Sequence, residues 1–162
     1  MDSKIEQVKK YELTTESKDY FGHKLFRIRA LISFKFVAKG ELGGFVESEK
    51  NVSHSGNAWV SGNAQVSGNA QVSGNAQVYG DARVSGNAKI EISTDYFVAG
   101  PIGSRSGFIT FTKSNMTATT GCFYGTIAKF TAAVKKTHGE NQHAKNYLAL
   151  VEMVKAMWEE SN

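Results

Sequence analysis

The sequence predicts a mainly β protein with C-terminal helices, built around a six-residue repeat. Three observations lead to this prediction: an uninterrupted repeat in the middle of the chain, alternation of polar and apolar residues beside it, and helical spacing of apolar residues towards the C-terminus. The chain has 162 residues, of which 41% are hydrophobic, and this is enough for one domain or for two small units that share a core.

The repeat occupies residues 58–90, where an aliphatic residue recurs at every sixth position. Alanine stands two positions before each aliphatic residue, and glycine stands four positions before it. An aliphatic residue and a small residue four positions later can both point inward from short strands, while Gly followed by Asn or Asp suits a corner that needs positive φ. Three such sides would close one triangular coil. The rows are Val60, Val66, Val72, Val78, Val84 and Ile90; Ala58, Ala64, Ala70, Ala76, Ala82 and Ala88; and Gly56, Gly62, Gly68, Gly74, Gly80 and Gly86.

A continuous helix is a poor alternative, because it would place apolar residues at helical spacing and would be weakened by glycine at every sixth position. The repeat resembles the left-handed β-helix hexapeptide family, which implies a short left-handed β-helix of about two coils. Before it we expect an irregular first coil, with Val46 and Val52 six residues apart and His54 in place of the expected aliphatic residue. Both ends of so short a stack need caps.

The two flanking segments predict an N-terminal hairpin and a C-terminal α+β module. Paired strands are expected within residues 11–37, where apolar residues alternate with Arg27 and Arg29. The C-terminal module is expected to be βββαα, with Thr126 as the N-cap of its first helix and Met157 or Trp158 on the apolar stripe of its second. The expected strands are 96–99, 108–111 and 118–123, the helices are 126–138 and 142–159, and the three regions are 1–45, 46–92 and 93–162.

The motifs together resemble a group of small phage and prophage hexapeptide-repeat proteins. They are a Gly-Gly-Phe-Val lead-in, Val-Ser-Gly-Asn-Ala repeats and a tail that runs from Gly-Ser-Arg to Gly-Cys-Phe-Tyr-Gly-Thr. Some phage proteins of similar size sequester the nucleotide second messengers of bacterial antiviral defence. This analogy of class implies a non-enzymatic binding protein that acts on a small anionic, cyclic dinucleotide-like signal in the bacterial cytoplasm.

Composition argues against several partners. The net charge of +4 is dispersed along the chain, whereas duplex-binding proteins concentrate Lys and Arg on one face. The single cysteine, Cys122, lies in an apolar run and is expected to be a core residue in a reducing compartment. With neither a signal-like N-terminus nor an apolar run of membrane-spanning length, a cytoplasmic protein without a membrane partner is expected.

The best candidate for an anion site is the loop Gly103-Ser104-Arg105-Ser106-Gly107, whose N–H groups, hydroxyls and guanidinium could hold a phosphate. An ordinary hairpin turn with a solvated arginine is the alternative. A second candidate is the N-terminus of the first helix, where Thr126 and Lys129 would face an anion, although plain capping explains Thr126 equally well. Arg27 and Arg29 could add charge, and Tyr124 could stack on a base.

Three functions remain open at this stage. Sequestration of a small anionic ligand needs the loop and helix candidates above; a scaffold that binds a host or phage protein needs none of them. A hexapeptide acyltransferase would use His54 as its base, but the chain lacks the additional coils and the extended loop of those enzymes. We expect no catalytic residue, no cofactor and no metal, since His138 and His143 flank a helix break. The uncharged outward rows of Ser and Gln predict a homo-oligomer, and the family analogy favours a trimer.

Overall fold

The computed structural model describes residues 8–121 and 123–159. This part of the chain is mainly β with two C-terminal helices, as predicted, and short 3-10 turns at Glu49–Asn51 and Ser93–Asp95. The strands are β1 (Tyr11–Tyr20), β2 (His23–Ala30), β3 (Leu42–Val46), β4 (Trp59–Val60), β5 (Gln65–Val66), β6 (Gln71–Val72), β7 (Gln77–Val78), β8 (Arg83–Val84), β9 (Lys89–Ile90), β10 (Tyr96–Ile102), β11 (Gly107–Thr112), β12 (Thr117–Thr120) and β13 (Phe123–Thr126); the helices are α1 (Ile127–His138) and α2 (Gln142–Glu159).

The repeat forms a β-solenoid, in which each short strand pairs in parallel with the strand eighteen residues later. Trp59 aligns with Gln77, Gln65 with Arg83 and Gln71 with Lys89. β4 therefore pairs with β7, β5 with β8 and β6 with β9. One coil therefore contains three strands, one on each side. The alanine and aliphatic rows fill the interior, and each of their members is at most 1% exposed.

The first coil is irregular, as expected. Val46 aligns with Val66 and Val52 with Val72, which is a spacing of 20 residues in place of 18. Both valines are buried with the rest of the solenoid core. His54 lies in the longer segment between Val52 and Val60 and stacks on the Tyr11 ring, with centroids 4.3 Å apart.

The N-terminal hairpin is part of one side of the solenoid. β2 pairs with β3, and β3 pairs in parallel with β5, so β1-β2-β3-β5-β8 is one five-stranded sheet. The hairpin is longer than its apolar pattern indicates, because β1 continues to Tyr20 through polar residues that pair with the start of β2. Sequence alternation misses this extension, since these residues gain backbone hydrogen bonds while most of their side chains stay in solvent.

Each end of the solenoid has backbone groups that no neighbouring coil pairs. Each coil donates its N–H groups to carbonyls of the following coil, for example from Trp59 to Ala76. The first coil therefore presents free carbonyls. Lys10 Nζ donates to the Ala58 carbonyl at 2.6 Å, and Asn51 Nδ2 donates to the Ala70 carbonyl at 2.8 Å. The N-terminal segment thus covers this end with donors.

The last coil has no following coil to accept its N–H groups, and hydroxyls of the C-terminal segment accept several of them, while the Tyr96 hydroxyl donates to the Gln77 carbonyl. The hydroxyl oxygens of two side chains from the C-terminal sheet lie 2.8–2.9 Å from N–H groups of β8 and β9. Two further hydroxyls, from Ser93 and Tyr96, accept N–H groups at and just after β7. Because these groups belong to polar side chains, the sheet meets the solenoid through a largely polar face. The strand contacts are Arg83 N–H to Thr110 Oγ1 and Lys89 N–H to Ser114 Oγ.

The C-terminal module is ββββαα, so the prediction of three strands was wrong. Its sheet has the order β10-β11-β12-β13. The segment expected to be one strand at 118–123 turns at Gly121, whose φ is 52°, and divides between β12 and β13. The residues on both sides of this turn favour strands, and a single glycine is too weak a signal to predict a turn between them. Cys122, expected in the core, lies outside the described residues.

The two helices lie where helical spacing places them. The Thr126 hydroxyl accepts the Lys129 N–H at 3.2 Å, and α1 ends at Gly139, whose φ is 58°. Trp158 is 8% exposed whereas Met157 is 44% exposed, so tryptophan belongs to the buried stripe of α2. Neither helix in residues 8–121 and 123–159 has the length and hydropathy that crossing a membrane requires.

Candidate functional site

A cavity of about 410 Å³ lies where the N-terminal hairpin, the solenoid and the C-terminal sheet meet, and we call it the corner cleft. Three separate segments of the chain form it: the hairpin tip at 20–23, two stacked solenoid corners, and the β12–β13 hairpin. Its volume falls in the range of about 300–1,000 Å³ that is common for small-molecule sites. The lining residues are Tyr20, Phe21, His23, Ser67, Gly68, Asn69, Ser85, Gly86, Asn87, Thr119, Phe123 and Tyr124.

The hairpin tip is attached to the C-terminal sheet. The Tyr20 hydroxyl donates to the Gly121 carbonyl at 3.3 Å and accepts from Arg83 at 3.3 Å. The Arg83 guanidinium also lies 4.9 Å from the centroid of the Tyr20 ring. Phe21 follows with a φ of 45° and leaves its ring 65% exposed. These contacts hold an exposed aromatic ring at the mouth of the cleft.

The opposite wall is a pair of stacked corners, at Gly68 and Gly86. Tyr124 packs so closely on Gly86 that a Cβ there would overlap the tyrosine hydroxyl. The Glu47 carboxylate accepts the Gly68 N–H at 2.6 Å and contacts His23 Nδ1 at 3.0 Å. The Gly68 hydrogen bond, followed by His23, lowers the pKa of the Glu47 carboxyl, and its partial burial opposes the shift. The cleft therefore has defined walls before any ligand binds.

The chemistry of the corner cleft suits a planar ring with polar edges. Phe21 and Tyr124 provide exposed ring area, and Tyr124 is 46% exposed. The serine and asparagine side chains of the two corners offer both hydrogen-bond donors and acceptors. Aromatic faces bind nucleobases by stacking, and neutral polar groups read the edges of such rings.

Arg105 lies in a second, smaller cavity of about 200 Å³, which we call the loop cavity. It is lined by part of the loop at 103–107, by the turn at Gly121, by Phe123 and by Tyr147. Tyr147 packs against Gly103, whose φ is 82°, so that a Cβ there would overlap the ring. Phe123 belongs to both cavities, which makes the predicted loop a neighbour of the corner cleft.

The N-terminus of α1 lies away from the loop. β13 runs from Phe123, at the cleft, to Thr126, which pairs with Thr117. Arg105 is in the turn at the other end of the sheet, where β10 passes into β11. The sequence left open whether this loop meets Thr126 and Lys129; the sheet places them at opposite ends of β13, so they do not form one site. Thr126 caps the helix, and Lys129 is exposed.

Arg27 and Arg29 are engaged within the hairpin. Arg27 pairs with Glu16, donates to the Gly43 carbonyl at 2.8 Å and lies 4.5 Å from the Phe45 ring centroid. Arg29 pairs with Glu12 on the neighbouring strand, with Nε 3.0 Å from the carboxylate. Neither arginine lines the corner cleft or the loop cavity. Antiparallel pairing of β1 with β2 explains this, because it places acidic residues of one strand beside cations of the other.

The sequence interpretation missed the hairpin tip and Arg83. Arg83 occupies the position that glutamine holds in the three preceding repeats, Gln65, Gln71 and Gln77. The same repeat also departs from its rows at Tyr79 and Asp81. Where one repeat carries a different residue, a contact with another element can determine the residue type. This signal could have identified Arg83.

His54 is arranged as a structural residue. Its Nδ1 accepts the Lys10 backbone N–H at 3.1 Å, which leaves Nε2 to carry the proton 3.6 Å from Glu49. Burial lowers the pKa of His54, and Lys10 and Lys9 add to this while Glu49 opposes it. With its one lone pair occupied, the neutral imidazole has no acceptor to offer a substrate proton.

His138 and His143 lie close together, and His138 contacts Tyr147. The rings of His138 and His143 are 5.5 Å apart, and His138 stacks on Tyr147 with centroids 6.0 Å apart. Within residues 8–121 and 123–159, no group of three or more His, Cys, Asp or Glu side chains is placed to hold a metal ion.

Comparison with known proteins supports the solenoid. Residues 76–90 match the family model described as the YdcK Beta solenoid repeat. A comparison with curated proteins gives no match. The family match falls on β7, β8 and β9, the strands that pair with the preceding coil, and it supports a β-solenoid repeat in this part of the chain.

Proposed function

We propose that this protein is a non-enzymatic binding protein that sequesters a small anionic nucleotide, of the cyclic dinucleotide class, in the corner cleft. The proposal includes a left-handed coil, a phage-type origin and a cytoplasmic role against a nucleotide signal of host antiviral defence. These parts rest on the resemblance of the sequence motifs to small phage hexapeptide-repeat proteins.

The observation that carries the proposal is the corner cleft itself. Its walls come from three segments far apart in sequence, and they hold the exposed rings of Phe21 and Tyr124 beside polar solenoid corners. A surface used only for apolar packing would not need aromatic rings beside the polar side chains of serine and asparagine. A nucleobase matches this combination, because it has two apolar faces and a polar rim.

Two guanidinium groups near the cleft favour an anionic ligand. Arg83 donates weakly to the Gly121 carbonyl at 3.5 Å, and Arg105 lies in the loop cavity that the same turn borders. Guanidinium groups form paired, charge-assisted hydrogen bonds with phosphate oxygens. A ligand whose base occupies the cleft would carry its phosphate towards this turn.

The proposal is tested by ligand release and thermal shift. The purified protein is denatured, the released small molecules are identified by mass spectrometry, and cyclic mono- and dinucleotides, CoA and acetyl-CoA are screened against the folded protein. A nucleotide that binds only the folded state raises the melting temperature. We expect this shift in the wild type, and we expect Phe21→Ser, Arg83→Gln and Arg105→Ala each to reduce it.

Lys129→Ala is the matched control, since Lys129 is an exposed cation away from the cleft. Arg83→Gln restores the residue of the neighbouring repeats, so the solenoid should accept it. The proposal is wrong if no nucleotide shifts the melting temperature of the folded wild type, or if Lys129→Ala removes the shift while Phe21→Ser, Arg83→Gln and Arg105→Ala retain it.

One observation favours a second function, an oligomeric scaffold that binds a host or phage protein. Phe36 is 87% exposed on a tight turn between Phe34 and Val37, where Lys35 has a φ of 44°. A single exposed aromatic ring on a constrained turn is typical of an anchor in a protein interface. Oligomerisation, with a trimer favoured, would be measured by light scattering, and Phe36→Ser would reduce partner binding without affecting nucleotide shifts.

A further inference from the structure

A third cavity coincides with the places where the repeat changes. Position 79 holds tyrosine where four other repeats hold serine, and position 81 holds aspartate where the others hold asparagine. Tyr79 and Asp81 both line a cavity of about 360 Å³, which we call the edge cavity. It lies at a different corner of the coil from the corner cleft, between that corner and the strands β10 and β11, which contribute Tyr96 and Phe108.

The aromatic residues of the edge cavity are held in position. The Tyr96 hydroxyl donates to the Gln77 carbonyl at 2.8 Å and accepts the Tyr79 N–H at 3.3 Å. The two tyrosine rings meet edge to face, with centroids 6.3 Å apart and planes at 78°. Phe108 packs against Gly100, where a Cβ would approach its ring to 2.5 Å. Yet Tyr79 is 62% exposed and Phe108 is 38% exposed, so part of each ring faces solvent.

Asp81 is the charged residue of the edge cavity. Its carboxylate forms no hydrogen bond or ion pair with residues 8–121 or 123–159, and it is exposed. Lys18 on β1 is a nearby cation: burial, Arg27 and Arg83 lower the pKa of Lys18, and Asp81 opposes that shift. The Lys18 ammonium lies 4.0 Å from the Phe45 ring centroid, however, so it is positioned on the hairpin.

We propose that the edge cavity binds a small alkylammonium ion, and choline is the probe for it. Aromatic faces attract a cation through their negative quadrupole, and methylated ammonium groups are preferred because they are weakly hydrated. The Asp81 carboxylate supplies the matching charge, which a cavity lined by aromatic rings alone would lack. This site differs from the corner cleft in position and in the sign of its ligand, and it does not depend on nucleotide binding.

The test compares choline with its neutral carbon isostere, 3,3-dimethylbutanol, by calorimetric titration of the full chain. We expect saturable binding of choline and none of the isostere at the same concentrations. Tyr79→Ser and Asp81→Asn should each weaken choline binding by about tenfold. Both changes restore the residue that other repeats carry at that position, so the solenoid should accept them, and circular dichroism checks that they fold.

Arg83→Gln is the matched control, because it lies in the same repeat but outside the edge cavity. It should weaken nucleotide binding and leave choline binding unchanged, whereas Tyr79→Ser should do the reverse, so the two proposals fail separately. Equal binding of choline and the isostere would overturn the inference. So would the absence of saturable choline binding, or choline binding that survives both Tyr79→Ser and Asp81→Asn in folded variants.

Discussion

At the scale of single residues, Lys10 shows how a charge is tolerated inside the N-terminal end of the solenoid. It is 1% exposed, and its ammonium donates to the Ala58 carbonyl and lies 4.9 Å from the Phe34 ring centroid. The Gly56 carbonyl, at 3.4 Å, is a second acceptor, and no carboxylate pairs with Lys10 among the described residues. Burial therefore lowers the pKa of Lys10 from 10.5 to about 8.

This shift predicts that the protein becomes more stable as pH rises from about 8 towards 10. In that interval the unfolded chain binds more protons at Lys10 than the folded chain does, so the free energy of unfolding increases with pH. In Lys10→Met, we expect the gain in the free energy of unfolding between about pH 8 and pH 10 to be smaller by about 1–2 kcal/mol. Urea unfolding at a series of pH values measures this gain. Lys18, whose pKa burial also lowers, contributes in the same direction and remains in the variant.

Lys9→Met is the control, because the Lys9 side chain is 59% exposed and pairs with Glu49 at the surface. Lys9→Met should leave the increase of the free energy of unfolding with pH unchanged. Measurements stop near pH 10, since burial raises the pKa of Tyr11 and Tyr96, and their linkage lowers stability at higher pH. A Lys10→Met variant with an unchanged slope would show that burial does not shift this lysine.

At the scale of elements, the solenoid corners combine a common backbone conformation with different surroundings. The six corner glycines have φ between 61° and 70°, which residues with a Cβ rarely adopt. A Cβ at Gly80 would meet open space, whereas one at Gly86 would overlap the Tyr124 hydroxyl. The repeat makes these corners look equivalent in sequence, and only their neighbours distinguish them.

Gly86→Ala should therefore cost more stability than Gly80→Ala. Both changes carry the strain of a positive φ, about 1–2 kcal/mol, and the overlap with Tyr124 should add about 1–3 kcal/mol at Gly86. Chemical denaturation of the two variants measures the difference. In a Tyr124→Ala background the two substitutions should cost the same; a persisting difference would mean that the ring does not rest on the corner.

The elements differ in how well their sequence patterns predict them. Helical spacing of Ile127, Phe130 and Val134 predicts α1 with its caps, because one amphipathic face packs on the sheet. The β12–β13 turn was missed, because the residues on both sides of Gly121 favour strands. The pairing of β3 with both β2 and β5 was also missed, since register between distant strands depends on tertiary packing.

At the scale of the whole molecule, each flank covers one end of the solenoid and supplies polar groups that pair with its backbone. Thr110 is 2% exposed and accepts the Arg83 N–H at 2.9 Å. Ser114 does the same for Lys89. With both ends covered, oligomers would have to form through the sides of the coil, because stacking end to end needs a free edge.

Thr110→Val should destabilise the protein by about 1–3 kcal/mol, since it leaves a buried N–H group without an acceptor. Thr119→Val is the comparison, because Thr119 is aligned with Thr110 on the neighbouring strand β12 and is 4% exposed, yet it accepts none of the solenoid N–H bonds given above. Denaturant unfolding should show a smaller loss for Thr119→Val. Equal losses would indicate that the hydrogen bond from the Arg83 N–H to the Thr110 hydroxyl contributes no specific stability.

The sequence by itself determined the β-solenoid core, because a six-residue period repeats the same inward residues and the same corner glycines without reference to the rest of the chain. It also determined the two helices, whose apolar stripes are local patterns. Tertiary structure alone decided which residues form the corner cleft and the edge cavity, and it separated Arg105 from Thr126. Those sites join the hairpin tip, solenoid corners and C-terminal sheet, and such contacts depend on strand pairing between residues far apart in sequence.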